Sequence, residues 1–184
     1  MSQAYELRPS RRDLIWLNLG SVGLALVGVM VALVVRGTLW PGTTTVGVVE
    51  IVLVLVTTVT LAVMHEAIHG VAMIAVGIRP RFGLTRFGGS VPALYTTAKE
   101  PGTTVTVREF ALICLAPIVL LNLVVLCALV FCPAGGWLVI PGAVHLAGCV
   151  GDLWLWRQAR RQPVGSRFED LVDGLRIHPE PALR

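Results

Sequence analysis

An all-α membrane protein with about four transmembrane helices is the architecture expected for this 184-residue chain, for three reasons. Hydrophobic residues make up 55% of it and charged residues only 14%, against roughly 25% charged in an ordinary soluble domain. Mean hydropathy is +0.77. Four apolar runs approach the roughly 20 residues that a bilayer crossing needs, and arginines gather at their ends. A soluble fold of this size could not cover so much apolar surface. Disorder, a collagen-like fibre and a disulfide-stapled module are excluded by the same composition.

The chain divides into an N-terminal segment 1–13, a membrane-embedded region 14–156 and a tail 157–184. The first run, Leu14–Val35, follows Arg8, Arg11 and Arg12 and is too long for a signal-peptide core. Asn18, Ser21, Ala25 and Gly28 form a stripe of small residues on it, suited to close helix contact. The second run, about Val46–Val76, is long enough to tilt. The third is Phe110–Phe131, where Pro117 is expected to kink the helix or free a carbonyl, and Asn122 to hydrogen-bond across helices. The fourth is roughly Trp137–Trp156. Trp40-Pro41-Gly42 and Pro133-Ala134-Gly135-Gly136 break the chain between runs.

Fourteen arginines and the single Lys99 give a net charge of +4. They fall on the N-terminal segment, the loop between the second and third runs, and the tail, whereas the other two connections carry only Arg36. Both termini and the middle loop are therefore expected on the cytoplasmic side of the membrane. The basic residues read as orientation signals, so no nucleic-acid partner is expected. Cys114, Cys127, Cys132 and Cys149 lie in or beside apolar runs without a CxxC pair and read as small buried hydrophobes.

The middle loop predicts a hairpin: Arg81–Phe87 and Val91–Thr97 flank Gly88-Gly89. In the tail, Ser166-Arg-Phe-Glu169 resembles a capping box, and Phe168, Leu171, Val172 and Leu175 recur at helical spacing. A short amphipathic surface helix is expected there.

Titratable side chains inside spans are expensive, and each is a functional candidate. His65-Glu66-Ala67-Ile68-His69 is an HExxH motif. On a helix the two histidines share a face and can reach one metal ion, and Glu66 is placed to take a proton from a water held there. With four histidines in the chain, chance supplies such a motif about 0.003 times per sequence. Zinc suits imidazole ligands, and a catalytic zinc site has three protein ligands. Asp152 is the one carboxylate inside another run and is the candidate third ligand. His145, seven residues earlier, has three candidate roles: an auxiliary ligand, a donor to a substrate oxyanion, or a hydrogen-bonded structural histidine. Glu50 lies nearly four turns from His65, and His178 is expected in solvent beside Pro179.

These residues resemble the site-2-protease-type membrane metalloproteases and, more closely, the small zincin peptidases of prokaryotic membranes. The resemblance runs through His65–Gly70, Ala93–Tyr95, Phe110–Pro117, Gly148–Leu153 and Phe168–Gly174. It implies His65, His69 and Asp152 as zinc ligands and Glu66 as general base. Site-2 proteases set their aspartate in Asn-Pro-Asp-Gly, whereas here it sits in Gly151-Asp152-Leu153. The implied activity is that of a zinc-dependent metalloendopeptidase, a hydrolase acting on a membrane protein or peptide. An edge strand in the middle loop would suit an extended substrate. The alternative is a membrane protein that binds metal without hydrolysis, in a binding, transport or assembly role.

Overall fold

The computed structural model describes residues 3–42, 47–87, 91–172 and 174–180. It contains helices α1 (Arg11–Leu39), α2 (Val48–Ala75), α3 (Val107–Phe131), α4 (Val139–Gly148) and α5 (Val150–Ala159). The strands are β1 (Tyr5–Leu7), β2 (Pro80–Phe87), β3 (Val91–Ala98), β4 (Arg167–Leu171) and β5 (Gly174–His178). The architecture is thus mostly helical with two small sheets, where an all-α fold was expected. Four helical stretches, 11–39, 48–75, 107–131 and 135–159, are long and apolar enough to cross a membrane by length and composition. The fourth is not one helix: a 3₁₀ turn at Gly135–Leu138 leads into α4, and Cys149 interrupts it before α5.

The chain forms two compact units. One comprises Ile15–His65 and Ile118–Val150. Within it the backbone at Gly28 runs against α4, so closely that a β-carbon there would stand 3.2 Å from Ala143 Cα, which accounts for a small residue at this point of the stripe. Arg36 is buried. Its guanidinium donates to the carbonyls of Cys132, at 2.6 Å, and Pro133, and Trp40 Nε1 donates to Val130 O at 3.1 Å. These carbonyls lie at and just beyond the C-terminal end of α3, where a cation is favoured. Arg36 is therefore a cap, although it looked like a lone loop charge. Leu26 and Val59, 62% and 64% exposed, typify the bare apolar faces of α1 and α2, as expected for surfaces made for lipid.

The other unit comprises Met1–Leu14, Glu66–Pro117 and Gly151–Arg184. Its helix starts are capped by reciprocal boxes. Ser10 and Asp13 exchange bonds of 2.9 and 3.2 Å at α1, and Thr106 and Glu109 do so at 2.7 and 3.3 Å at α3. Gly77 closes α2 at φ +82°, and the N–H of Ile78 reaches Met73 O at 2.9 Å, a Schellman ending that needs a left-handed residue. The chain then enters the β2–β3 hairpin in antiparallel register, Pro80 opposite Ala98 and Gly83 opposite Tyr95. The expected hairpin is present, although its turn at Gly88-Gly89 lies outside the described residues.

The tail helix is not. Strands β4 and β5, residues 167–171 and 174–178, pair as antiparallel neighbours, and β1 joins them in the order β1-β5-β4. In β5, buried Leu175 and Ile177 alternate with half-buried Arg176 and His178, a period of two that suits a strand. Ser166 and Glu169 therefore do not cap a helix. Glu169 accepts the Gly102 N–H at 2.7 Å and pairs with Arg176 at 2.7 Å, and Arg176 also bonds Glu6 at 2.7 Å on β1. Burial pushes the Glu169 carboxyl up, but the Gly102 N–H and the Arg176 guanidinium outweigh it and hold the group below its ordinary value. His178, expected in solvent, is half-buried with Nε2 3.6 Å from Glu169.

Phe168 of β4 stacks on Phe110 of α3 with ring centroids 5.8 Å apart. Both belong to a core completed by Met73, Ile113, Ala159, Leu175 and Ile177. Of the cysteines, Cys114 and Cys149 are buried as expected, whereas Cys127 and Cys132 are exposed; none of the four forms a disulfide. Because Phe168 is 1% exposed, Phe168→Ala is expected to destabilise this unit by about 3–5 kcal/mol. A lowered thermal midpoint and faster proteolysis of the tail in detergent would register the loss.

Candidate metal site

Five elements of the sheet-bearing unit converge on the HExxH helix. The Thr96 hydroxyl of β3 donates to Glu66 O at 3.0 Å. Phe82 of β2 lies over Gly70, where a β-carbon would stand 2.5 Å from the ring, so a larger residue after the motif would push the ring aside. Gly83 likewise leaves room for the Tyr95 ring across the hairpin. The hydroxyl of Thr97 donates to Asp170 O at 3.0 Å, and Val105 and Phe168 exchange backbone bonds of 2.8 and 2.9 Å, which ties β4 to β3 and to the start of α3.

These contacts border an open cavity of about 140 Å³. Its walls carry Glu66 and His69 from α2, Tyr95 and Thr96 from β3, Cys114 from α3, Asp152 from α5 and Asp170 from β4. Two of the sequence candidates, Glu66 and His69, thus share one space with a third, Asp152.

His69 is buried, and its ring is held at both nitrogens. Nδ1 lies 2.8 Å from the carbonyl of Ile113. A carbonyl only accepts, so Nδ1 carries the proton and the neutral ring keeps its lone pair on Nε2. Pro117 explains why that carbonyl is available. In an α-helix the carbonyl of residue 113 would accept from the N–H of residue 117, and proline has none. The carbonyl expected to be freed by Pro117 is thus put to use by the HExxH helix.

The Nε2 atom faces Asp152 Oδ1 at 3.5 Å. That is longer than a charge-assisted hydrogen bond, typically about 2.7–2.9 Å. Two ligands of one tetrahedral zinc stand about 3.3 Å apart, so the imidazole lone pair and the carboxylate fit a shared cation. Asp152 lies in the first turn of α5, directly after the break at Cys149. His65 precedes His69 by one turn on α2.

In the helical unit, His65 Nδ1 lies 3.1 Å from His145 Nε2, and His145 Nδ1 lies 3.4 Å from Asn122 Oδ1. His145 is therefore joined to the motif by a hydrogen bond. Glu50 accepts the Gly47 N–H at 3.0 Å near the start of α2, a structural use.

Asp170 falls within Phe168–Gly174, but the sequence shows no role for it, because its segment reads as a surface helix. The β4 pairing turns it toward the cavity. Burial pushes its carboxyl up to about 7, with His69 opposing and Asp152 and Glu66 adding to the rise. The ordinary aspartate value of about 3.9 is that of the unfolded chain. The native state thus binds more protons between these values, and stability falls as pH rises through that window and stays low above it. In metal-free protein, the thermal midpoint is expected to drop between pH 4 and pH 7.5, and Asp170→Asn to remove most of that drop. An unchanged slope in the variant would contradict this ionisation.

A family described as "Putative zincin peptidase" matches residues 58–167, more than half of the chain, including the HExxH motif and Asp152 and stopping short of Asp170. No curated protein and no solved structure matches the chain. The family match, the buried pairing of His69 with Asp152, and the motif carboxylate in the same cavity lead to one conclusion: the chain belongs to the family described as "Putative zincin peptidase".

Proposed function

We propose that the protein is a membrane-embedded zinc metallopeptidase of site-2-protease-like action, with His65, His69 and Asp152 as the metal ligands and Glu66 as the general base. The observation that carries this reading is the cavity in which Glu66, His69 and Asp152 meet, with the His69 lone pair aimed at a carboxylate. The donor set suits zinc: two imidazoles and one carboxylate leave a fourth position open.

When bound, zinc supplies Lewis-acid polarisation of a peptide carbonyl and acidifies an attacking water. The chain's own residues do the rest. The Glu66 carboxylate takes the proton of the attacking water and delivers it to the leaving amide nitrogen, a transfer worth typically about 10²–10⁴-fold in rate. Tyr95 places its side chain at the same wall, within the segment Leu94–Thr96 that borders the cavity. That segment belongs to the two-stranded hairpin. We assign it the binding of an extended stretch of a membrane protein or peptide, whose backbone amides a helix would hide. Apolar faces on α1 and α2 support a lipid bilayer as the surroundings.

The test begins with zinc content in purified protein, followed by cleavage of a peptide library. Wild type and Glu66→Gln are expected to hold about one zinc per chain, and His65→Ala, His69→Ala and Asp152→Ala to lose it. Hydrolysis is expected to fall at least 100-fold in Glu66→Gln. Full hydrolysis in that variant would remove Glu66 from the mechanism, and metal without any hydrolysis in wild type would favour a binding protein.

Pro117→Ala restores an N–H that competes for the Ile113 carbonyl. It is expected to weaken zinc binding by about 10–100-fold, as loss of a ligand's outer partner does, while leaving the fold intact. Competition with a chelator of known affinity measures it.

A further inference from the structure

We infer that Asn122 and His145 are positioning residues that set the tautomer of His65, so that its Nε2 presents a lone pair to the metal. The inference rests on the reading of His65 as a ligand, and deepens it by naming what holds that ligand.

The argument is one of donors and acceptors, read along a chain that starts at a backbone carbonyl. Asn122 Nδ2 donates to Ile118 O at 2.6 Å, which identifies the amine end of the side chain, because a carbonyl only accepts. The other end, Oδ1, faces His145 Nδ1 at 3.4 Å. Oδ1 only accepts, so His145 carries its proton on Nδ1 and its lone pair on Nε2. That lone pair faces His65 Nδ1 at 3.1 Å. His65 therefore donates from Nδ1, and its own lone pair falls on Nε2. The result matches His69, where the Ile113 carbonyl fixes the same tautomer by a different route. Free imidazole side chains mostly protonate Nε2, so both histidines of the motif are turned from their ordinary preference by a partner at Nδ1.

The rings of His65 and His145 meet edge-on, 5.3 Å between centroids and 64° between planes, which suits a donor in one ring and an acceptor in the other. His145 is 7% exposed, and a buried imidazole is sensitive to loss of its partners. Cys149 also lies close, and His65, His145 and Cys149 each bring a potential donor atom within 4.8 Å of the others. The Cys149 thiol, however, donates to the His145 carbonyl at 3.2 Å, and a cysteine ligand is a thiolate. A second metal at these three residues competes with this inference and enters the test as such.

The experiment reads the tautomer directly in the whole, metal-free protein. Histidine is labelled with ¹⁵N, the protein is held in detergent with chelator at pH 8, and two-bond proton–nitrogen correlations report which ring nitrogen of His65 is protonated. Wild type is expected to show His65 protonated at Nδ1. In His145→Phe and Asn122→Leu the population is expected to move toward Nε2–H, and zinc affinity to fall about 10–100-fold. His145→Gln, whose side-chain oxygen stands near the lost Nε2, is expected to restore both the tautomer and most of the affinity. Asn122→Asp, which keeps the acceptor, is expected to do the same.

His65 protonated at Nε2 in wild type overturns the inference. So does equal zinc affinity in His145→Phe and His145→Gln, which reduces His145 to packing. Two zinc ions per chain, one of them lost in Cys149→Ala, makes His145 a ligand and also overturns it. Wild type with the Nδ1–H tautomer but no zinc supports the positioning chain and removes the metal reading instead.

Discussion

One hydrogen bond, from His69 Nδ1 to the carbonyl of Ile113, ties the motif helix to its neighbour and decides what the imidazole can do. It exists because Pro117 withholds an N–H from α3. A helix interior is normally closed to side chains, since every carbonyl is spoken for. Proline opens one position, at a cost of a few kcal/mol to an isolated helix, and here a buried imidazole fills it. The missing bond and the bound histidine therefore compensate each other. The ring plane, its proton and the direction of its lone pair all follow from a residue that never touches the cavity.

The sheets serve that arrangement. The hairpin β2–β3 lies along α2 through Thr96 and Phe82, and β4 brings Asp170 to the cavity wall. Charge in the tail sheet is concentrated on Arg176, which joins Glu6 and Glu169 on the strands to either side. An exposed ion pair contributes little, but Glu169 is buried and already accepts an amide, so this pair closes a polar network that would otherwise leave a carboxylate enclosed without a counter-charge.

Much of this was legible in the sequence. Apolar runs located the helices, and the HExxH spacing located the metal-binding face, because both patterns are periodic and local. Pro117 announced a freed carbonyl, although not its recipient, since the partner lies 44 residues away. The tail misled for an instructive reason. Ser166-x-x-Glu169 has the same form as the two caps that are real, Ser10-x-x-Asp13 and Thr106-x-x-Glu109. Each real cap precedes a long apolar run, whereas Ser166 precedes two five-residue strands that pair with each other. Strand pairing with β1, more than 160 residues earlier, is invisible to any local window. Asp170 stayed hidden with it.

That long-range pairing has a consequence for how the protein is made. Strand β5 sits between β4 and β1, so the sheet joins residues 5–7 to residues 175–177. All five helices are complete in sequence before β5 is synthesised, and contacts of such high sequence separation form last. The wall that carries Asp170 closes only after synthesis has passed His178. A chain still on the ribosome therefore holds the HExxH helix without the β4 wall, and the cavity waits on the tail hairpin for its last side.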